Sequence, residues 1–570
     1  MKIVFVHSPE DYYDQNYGTL FVPLWAYYLA SFLPEGWDAE VIDCRIVDAD
    51  SCGEADVFAF SGINQDLGAI EKTRKILKEK YPQATFALGG PMTWSFDQEG
   101  KLDLLDAFDY VFILDGEQAL NDFLEQFARG EQPAERIIRS KRFPVRDARK
   151  IRFDLLDMQA KNYYGAVIEV SRGCPFLCEF CDIRVLPGNN ETNTKDIALI
   201  IEELDEYAKR GIKKFQIACD NFIGDLRWAD ECLDAILEWK QRTGADVSFF
   251  TWLTINLYKM PEHMRKMREC GFSILFIGIE SVNKNSLLET AKVQNIKVLN
   301  EAVETIHAHG FIIAPGFIFG FDSDTEDVFD QTLGFIKDTG TIGGDPSFLM
   351  ALAGTPLFER MRATGRLVEE NGEKGIERRK IETNIYYLLD KDFLARGFLC
   401  FVDSFCSQAF QYGRFMRHVG LMREKNHYVP MRSSGYASPW PYLKLQISNK
   451  NYRNMLFRRI FYLLHPARSF ALAKAVVVGR IRSPQNMTDF LSSFFYWVYA
   501  WTNMAMKYKG LTLEDFRLQS VSDEFDRSQL IAAPDEKKEA ELEKIHGIKV
   551  SNQRRYTDRA LHDLIDSTDA

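Results

Sequence analysis

Three cysteines that lie close together in the sequence are the side chains best suited to chemistry. Cys174, Cys178 and Cys181 have the spacing C-x3-C-x2-C inside the segment Ser171–Ile183. Thiolates are soft ligands that select zinc, copper(I) or iron–sulfur clusters. A closed structural zinc site uses four protein ligands, and the next cysteine along the chain is Cys219. The spacing alone leaves two hypotheses open: a fragment of a zinc site, or an iron–sulfur cluster with three cysteine ligands and one iron free to bind a small molecule.

The elements around the triplet predict that it follows a strand. Short apolar runs alternate with helical periodicity between residues 164 and 352, which is typical of parallel βα units. The predicted strands are Ala166–Val170, Lys214–Ala218, Val247–Thr251, Leu275–Ile279, Ile313–Ile318 and Phe348–Leu352. The predicted helices are Thr194–Arg210, Leu226–Arg242, Met260–Glu269, Ile296–His309 and Thr325–Lys337. This series predicts a partial (β/α)6 barrel, and the triplet follows its first strand, where the chemistry of such barrels is found.

Polar or small residues also end several later strands of the series. They are Asp220, Asn221, Glu280, Ser281 and Gly320, and the small residue Gly316 lies within the fifth predicted strand. These positions belong to the end of the barrel at which its chemistry should lie. Two of them also have an ordinary structural interpretation, since Asp220 fits a helix cap and Glu280 fits a structural ion pair.

The first 140 residues show a separate alternation of strands and helices. The predicted strands are Ile3–His7, Ala39–Asp43, Val57–Gly62, Thr85–Gly89 and Tyr110–Leu114, and the predicted helices are Pro23–Phe32 and Ala69–Lys80. This order predicts a doubly wound, Rossmann-like α/β domain, which binds ligands beyond the carboxyl ends of its strands. The loop residues expected there are Ser61, Gly62, Gly89, Gly90, Asp115, Gly116 and Glu117. They allow a large ligand to approach the backbone, although ordinary turn chemistry explains the same residues.

The triplet and the strand-end motifs together resemble the radical S-adenosylmethionine (radical SAM) enzymes. The matching features are the three cysteines with Phe180, then Asp220-Asn221-Phe222, Gly278-Ile279-Glu280-Ser281, Gly316 to Gly320 with Phe321-Asp322-Ser323-Asp324, and Ala353-Gly354-Thr355-Pro356. The resemblance implies that the cysteines hold a [4Fe–4S] cluster, whose open iron binds S-adenosylmethionine and whose electron yields a 5′-deoxyadenosyl radical. It also implies that Asp220 lies near the methionyl amino group, Glu280 at the ribose and Gly316 near adenine. One motif per strand, in order, makes the zinc fragment the weaker hypothesis.

The N-terminal domain resembles the cobalamin-binding domain that precedes the barrel in one group of radical SAM proteins. The matching features are Phe21-Val22-Pro23-Leu24-Trp25, Leu29, Asp43 and the loops at Ser61, Gly89 and Asp115. This resemblance implies cobalamin as a further cofactor. The chain lacks the Asp-x-His-x-x-Gly motif that supplies a cobalt ligand in other cobalamin proteins, and the only histidine of the domain is His7. A domain of the same kind that holds no cofactor is the alternative.

Residues Arg172–Leu367 resemble the hopanoid-methylase-like branch of this group. The branch implies a cobalamin-dependent C-methyltransferase that acts on an unactivated carbon of a hydrophobic or natural-product-like substrate. The segment Arg184–Asn190 departs from the branch, which leaves the substrate open. Cyclisation or rearrangement without methyl transfer is the alternative reaction, and a non-catalytic iron–sulfur protein is the alternative class. Methylthiolation of transfer RNA is a weaker hypothesis, because no second three-cysteine domain precedes the barrel.

The distribution of charge points to a separate C-terminal region. The formal net charge is −12, yet residues 413–510 hold 16 Lys and Arg against two acidic residues, together with many aromatic residues. This composition fits peripheral contact with an anionic membrane, and it equally fits a helical core whose cations face water or pair with the acidic domains. No recognised nucleic-acid-binding module accompanies the charge, so no nucleic acid partner is expected.

We predict five segments from these patterns. They are the cobalamin-binding-like domain 1–140, a linker 141–160, the radical SAM barrel 161–367, a helical basic and aromatic domain 368–512 and a charged tail 513–570. Apart from the triplet the cysteines are scattered, and the start of the chain does not resemble a signal peptide, so we expect a cytoplasmic enzyme. The expected partners are a small-molecule or lipid-like substrate and a one-electron donor such as a flavodoxin or ferredoxin.

Overall fold

The chain folds into two compact units. The computed structural model describes residues 1–10, 20–131, 133–176, 178–292, 298–368, 381–432, 440–448, 450–522, 524–526 and 530. The first unit comprises Met1–Val170, Asn193–Gln216 and Pro441–Arg453, and the second comprises Ser171–Thr192, Ile217–Trp440 and Asn454–Ala570. The five predicted segments divide the chain more finely, and their boundaries stay a prediction.

A six-stranded parallel sheet forms the core of the first unit. Its strands are β1 (Lys2–His7), β2 (Asp38–Asp43), β3 (Val57–Ser61), β4 (Thr85–Gly89), β5 (Tyr110–Ile113) and β6 (Ile137–Arg139), in the order β2-β1-β3-β4-β5-β6. The helices of this unit are α1 (Leu24–Leu29), α2 (Leu67–Lys80), α3 (Pro91–Glu99), α4 (Gly116–Ala128), α5 (Phe153–Leu156) and α6 (Ile197–Lys209). Ile3 to Val6 are all fully buried, as expected of a parallel strand covered on both faces. The doubly wound fold is confirmed, and its strand order reverses between β1 and β3, the kind of position where such sheets bind ligands.

The next strands build a second six-stranded sheet and a separate two-stranded one. In chain order they are β7 (Ala166–Glu169), β8 (Ser171–Arg172), β9 (Asn193–Thr194), β10 (Lys214–Ala218), β11 (Ser248–Trp252), β12 (Phe272–Glu280), β13 (Ile312–Phe319) and β14 (Asp345–Phe348). β8 and β9 pair with each other, and the other six strands form the larger sheet. The sheet order is β14-β13-β12-β11-β10-β7, and the pairs β11–β12, β12–β13 and β13–β14 are parallel. The helices between these strands are α7 (Leu226–Thr243), α8 (Pro261–Cys270), α9 (Lys284–Glu289), α10 (Leu299–Ala308), α11 (Val328–Thr339) and α12 (Pro356–Ala363). The predicted partial (β/α)6 barrel is confirmed.

The C-terminal part of the chain is mainly helical, as predicted. Its helices are α13 (Lys391–Cys406), α14 (Gln408–Glu424), α15 (Trp440–Ser448), α16 (Lys450–Leu463), α17 (Pro466–Arg482) and α18 (Met487–Tyr508). Two strands, β15 (Ile381–Tyr387) and β16 (Phe516–Ser520), pair in parallel and were not expected from the sequence. The core of this part is aromatic, with Phe398, Trp497 and Trp501 almost completely buried.

The sixth barrel strand is the clearest error among the predicted elements. The apolar run Phe348–Leu352 predicts a strand, but β14 ends at Phe348. Met350 and Leu352 are exposed, and the backbone N–H of Ala351 donates to the Asn384 side chain at 3.0 Å instead of to a strand. The prediction fails because Asp345-Pro346-Ser347 resembles a turn although it pairs in register with β13. The first residues of the predicted helix Ile296–His309 and residues 531–570 of the predicted tail lie outside the described residues.

None of the described helices is long and apolar enough to cross a membrane by itself. Among the described residues, one pair of consecutive helices has the required length and composition when the two are taken together. The pair is Arg453–Leu463 and Pro466–Arg482, and it is bent by 88°.

Candidate functional site

The three cysteines lie in the loop that follows β8, within the second unit. Gly173 begins this loop with a φ of 98°, and a Cβ atom there would collide with the carbonyl oxygen of Glu191. The position therefore requires glycine. The backbone N–H of Cys181 donates to the carbonyl of Cys178 at 3.2 Å, which forms a tight turn between these two cysteines.

Burial makes the thiolate form of Cys174 and Cys181 unfavourable. It raises the pKa of Cys174 to about 11 and that of Cys181 to about 12, and the neighbouring Cys178 adds to both shifts. A thiolate in this loop needs a positive charge beside it, which an iron–sulfur cluster supplies when it binds. In the part of the chain that the structure describes, no group of three His, Cys, Asp or Glu side chains is close enough to hold a single metal ion. The cluster assignment thus rests on spacing and location, and it stays a prediction.

Asp220 joins the end of β10 to the start of the cysteine loop. Its Oδ2 accepts a hydrogen bond from the backbone N–H of Gly173 at 2.6 Å, although 47 residues separate the two in sequence. The helix cap considered for Asp220 belongs instead to Asp225, which accepts from the backbone N–H of Trp228 at 3.0 Å at the start of α7. Asp220 therefore lies beside the cysteines, as the sequence analysis expected of a ligand-binding residue.

The side-chain amide of Asn221 is the strongest local indication of a binding site for a polar ligand. Asn221 is only 1% exposed, and among the described residues neither its Oδ1 nor its Nδ2 has a hydrogen-bond partner. Leaving a buried polar group unsatisfied costs about 1–3 kcal/mol, and few such groups occur in native proteins. A buried amide next to Asp220 with no protein partner fits a site that a polar molecule completes.

Glu280 ends β12 in a strained conformation beside the same loop. Its φ of 63° is left-handed, which is unusual for a residue with a side chain and is a feature of functional sites. Its Oε1 pairs with Lys292 Nζ at 2.5 Å, and Lys292 Nζ also lies 5.8 Å from the centre of the Phe180 ring. Burial opposes the charge of Lys292, but the Glu280 carboxylate, together with the negative charge that Cys178 and Cys181 carry as thiolates, outweighs it and raises the pKa of Lys292. The structural ion pair considered for Glu280 is present, and it fixes the carboxylate beside the cysteine loop.

The other residues predicted for the barrel site have more local surroundings. Gly316 lies next to Glu280, because a Cβ atom at Gly316 would be 3.5 Å from Glu280 Oε2. Ser281 accepts a backbone hydrogen bond at the start of α9, at 3.0 Å. Gly320 has a φ of 94°, and a Cβ there would overlap the ring of Tyr387. Ser281 and Gly320 therefore have evident structural roles, and their part in ligand binding stays a prediction.

A buried network of charges, which the sequence analysis missed, connects the cysteine loop to the rest of the barrel. Glu179 lies between Cys178 and Cys181, and both its carboxylate oxygens accept from Arg360 on α12, at 2.9 and 3.0 Å. The remaining nitrogen of Arg360 donates to Asp322 at 2.5 Å, and Asp322 also pairs with Arg366 at 2.6 Å. We call Glu179, Arg360, Asp322 and Arg366 the clamp network; each of their side chains is less than one tenth exposed.

The charges of the clamp network stabilise one another. Burial by itself would raise the pKa of Asp322, but Arg366 and Arg360 outweigh it and hold that pKa well below its usual range. Glu289 lies beside the network and accepts the backbone N–H groups of Asp322 and Ser323 at 2.9 and 2.8 Å. Burial and the negative charge of Asp322 raise the pKa of Glu289 to about 8. The clamp network thus buries two carboxylates and two guanidinium groups next to the cysteine loop.

In the first unit, the predicted loops after β3 and β4 come together. Ser61 and Gly89 are partners in the register of the two strands. Gly90 has a φ of 91°, and a Cβ atom at Gly90 would overlap Ser61 Oγ and lie 3.0 Å from the backbone nitrogen of Gly62. The two loops therefore approach so closely that no side chain fits at Gly90, and ligand binding by them stays a prediction.

The third predicted loop of the first unit is held by a basic residue. Asp115 precedes α4, and its carboxylate accepts from Arg142 at 2.5 Å and from the backbone N–H of Phe143 at 2.7 Å. Gly116 and the buried Glu117 form the first turn of α4. The carboxylate of Asp115 therefore has a structural role. This agrees with the alternative interpretation of the loop as an ordinary turn.

His7 is the last residue of β1, and its imidazole is hydrogen-bonded within the protein. Its Nδ1 accepts a hydrogen bond from the indole N–H of Trp25 at 3.2 Å. Burial, reinforced by the nearby charge of Arg45, lowers the pKa of His7 to about 3, so that the ring is neutral at pH 7.

Comparison with known proteins agrees with this arrangement. Residues 168–336 match the family model of the Radical SAM superfamily. The chain is 30% identical over 383 residues to the hopanoid C-2 methylase of Rhodopseudomonas palustris (strain TIE-1), an alignment that covers 64% of this chain and 67% of that protein. The chain thus spans about two thirds of the length of this curated relative.

Two solved structures share the fold. One is the cobalamin-dependent S-adenosylmethionine radical enzyme OxsB with aqua-cobalamin and S-adenosylmethionine bound; it has a TM-score of 0.56 and 15% identity, with 93% of this chain and 83% of that chain covered. The other is the radical S-adenosylmethionine methyltransferase TsrM from Kitasatospora setae with cobalamin and a [4Fe–4S] cluster bound; it has a TM-score of 0.52 and 14% identity, with 66% of this chain and 78% of that chain covered. At these identities the likeness concerns the fold alone.

Proposed function

Because the chain belongs to the cobalamin-binding radical SAM enzymes of the hopanoid-methylase-like branch, we propose that it methylates an unactivated carbon of a hydrophobic or natural-product-like small molecule. Membership confirms the predicted enzyme class and its cofactors, which are a [4Fe–4S] cluster, S-adenosylmethionine and cobalamin. The 30% identity to the hopanoid C-2 methylase over 383 residues is the observation that carries the reaction type.

The residues of the second unit fit the cluster and S-adenosylmethionine. When bound, the cluster supplies the electron that cleaves S-adenosylmethionine, and cobalamin supplies the methyl group. We propose that Cys174, Cys178 and Cys181 hold the iron. The unsatisfied amide of Asn221 would complete its hydrogen bonds with the polar end of S-adenosylmethionine, and Glu280, held in place by Lys292, would accept its ribose hydroxyls.

Analysis of the products of S-adenosylmethionine tests the reaction type. Anaerobically purified protein with cluster, hydroxocobalamin and a chemical reductant should form S-adenosylhomocysteine, because methyl transfer to cobalamin needs no substrate. It should also form 5′-deoxyadenosine slowly. Both are measured by liquid chromatography and mass spectrometry. Formation of 5′-deoxyadenosine without S-adenosylhomocysteine would overturn methyl transfer and favour cyclisation or rearrangement, and formation of neither would favour a non-catalytic protein.

A substitution at Gly90, where the loops after β3 and β4 approach each other, tests whether the first unit binds cobalamin. Gly90→Ala should lower the affinity for hydroxocobalamin at least tenfold, because the new Cβ pushes the Ser61–Gly62 loop away. Gly130→Ala is the matched control, since Gly130 has a similar φ of 74° and nothing within 4 Å of the added Cβ. Retained corrinoid absorbance is measured after gel filtration. Equal binding by the two variants would show that these loops do not hold the cofactor.

Finer statements about partners and location are also proposals. We propose a flavodoxin or ferredoxin as the electron donor and a cytoplasmic location, because an oxygen-labile cluster requires reducing surroundings. Peripheral membrane contact through residues 413–510 is supported by the exposed apolar side chains in this stretch.

A further inference from the structure

The helices α16 and α17 expose an unusual number of large apolar side chains. Phe461, Leu464, Phe470 and Ile481 are 71, 63, 70 and 77% exposed, and Val477 is 59% exposed. Single exposed apolar residues are ordinary on a protein surface, whereas a group on one face marks an interaction site. Phe470, Val477 and Ile481 are seven and four residues apart and therefore share one face of α17, and Phe461 and Leu464 lie at the end of α16 and directly after it. We call these five residues the apolar stripe.

The orientation of α17 is the reverse of that of a normal surface helix. Its buried face consists of the small residues Ala471, Ala475 and Gly479, spaced four apart, and a Cβ atom at Gly479 would come within 3.0 Å of Phe415 on α14. Its large residues Phe470 and Val477 face outward. A helix that buries small residues and exposes large ones gains little from packing on its own protein. This arrangement favours contact of the outer side with a second apolar phase.

The charges beside the apolar stripe are of one sign. Between Glu424 and Asp489 the sequence has 11 Lys and Arg and no acidic residue. Among the cations on these two helices, Arg458, Lys474 and Arg482 are exposed. Apolar side chains flanked by cations match the interface of a bilayer that contains anionic lipids.

We propose that α16 and α17 form a membrane-docking element, in which the apolar stripe enters the headgroup region of an anionic bilayer and Arg458, Lys474 and Arg482 contact the lipid phosphates. The two helices are bent by 88° at the break between them, so that they do not form one straight span across the membrane. A second copy of the chain is a poorer occupant, because two surfaces of the same positive charge repel each other. The proposal concerns the surface and does not depend on the reaction.

Co-sedimentation of the full chain with vesicles tests the proposal. Vesicles of phosphatidylcholine alone are compared with vesicles of phosphatidylcholine and phosphatidylglycerol at 7:3. We expect binding to the anionic vesicles, and we expect the double variant Phe461→Glu and Phe470→Glu to lower the partition coefficient at least tenfold. Neutralising Arg458, Lys474 and Arg482 to Gln should lower it roughly a hundredfold at low salt, since each cation contributes about fivefold.

A matched control separates the surface from a general effect of added charge. Leu226→Glu with Leu513→Glu adds the same charge at exposed apolar positions on other elements, and this variant should bind like the wild type. Equal binding by all variants, or no preference for anionic lipid, would overturn the proposal. A wild-type dimer in light scattering that the Phe461 and Phe470 variant splits, without any vesicle binding, would overturn it as well and assign the surface to a second copy.

Discussion

Replacing Cys174, Cys178 or Cys181 by alanine should abolish the iron–sulfur cluster and reduce the formation of 5′-deoxyadenosine to background. Three cysteine ligands leave one iron open, so the loss of any one removes a ligand that no neighbouring residue replaces. In the described part of the structure no group of three His, Cys, Asp or Glu side chains is arranged to hold a metal ion in their place. Iron and sulfide content, visible absorbance and 5′-deoxyadenosine are measured on anaerobically reconstituted protein.

The next cysteine provides the control for this experiment. Cys219 lies near the site but donates to the Trp252 carbonyl at 3.6 Å and contacts Thr251 Oγ1 at 3.4 Å, within β11. Cys219→Ala should therefore keep full iron content and activity. A cluster that persists in one of the three loop variants would refute the ligand assignment, and loss of the cluster in Cys219→Ala would add a fourth ligand.

Replacing Arg360 by methionine should destabilise the second unit by about 3–5 kcal/mol, because it leaves the Glu179 carboxylate buried without a partner. Methionine keeps most of the apolar length of the side chain, so the cavity contribution is small. Since Glu179 lies between two of the cysteines, we also expect the reconstituted protein to hold less iron. The measurements are the shift of the urea unfolding transition under anaerobic conditions and the iron content per chain.

A control on the same helix distinguishes burial from charge. Arg362 pairs with Glu359 at 3.2 Å on the surface, where such a pair contributes about 0–1 kcal/mol. Arg362→Met should therefore leave unfolding and iron content almost unchanged. In a double-mutant cycle, adding Glu179→Gln to Arg360→Met should cost less than the sum of the single changes. Equal effects of Arg360→Met and Arg362→Met would contradict the clamp network.

The strand ends were predictable, because they leave a local signal. Each of Cys174, Asp220 and Glu280 follows an apolar run with a period that identifies a strand, and parallel strands bring their ends together. The structure places these residues in one region. The backbone N–H of Gly173 donates a hydrogen bond to Asp220. Glu280 pairs with Lys292, whose ammonium group lies next to Phe180. What each residue binds is not contained in that geometry and stays a prediction.

The clamp network could not be predicted, because nothing local in the sequence indicates it. Glu179 and Arg360 are 181 residues apart, and Arg and Glu side chains are ordinarily exposed. The motif that contains Asp322 was recognised only by its resemblance to a family segment, which does not indicate that its carboxylate pairs with two arginines. Only the packing of α12 against the cysteine loop shows that these charges are buried together.

The distance between Glu179 and Arg360 along the chain has a consequence for the order of synthesis. A ribosome that adds about 5–20 residues per second needs roughly 9–36 s to make the 181 residues that separate them. During that interval the three thiols have already been synthesised, but the arginine that anchors their loop does not yet exist. Loading of iron should therefore follow completion of α12, and nascent chains that stop before it should expose reactive thiols to any available oxidant.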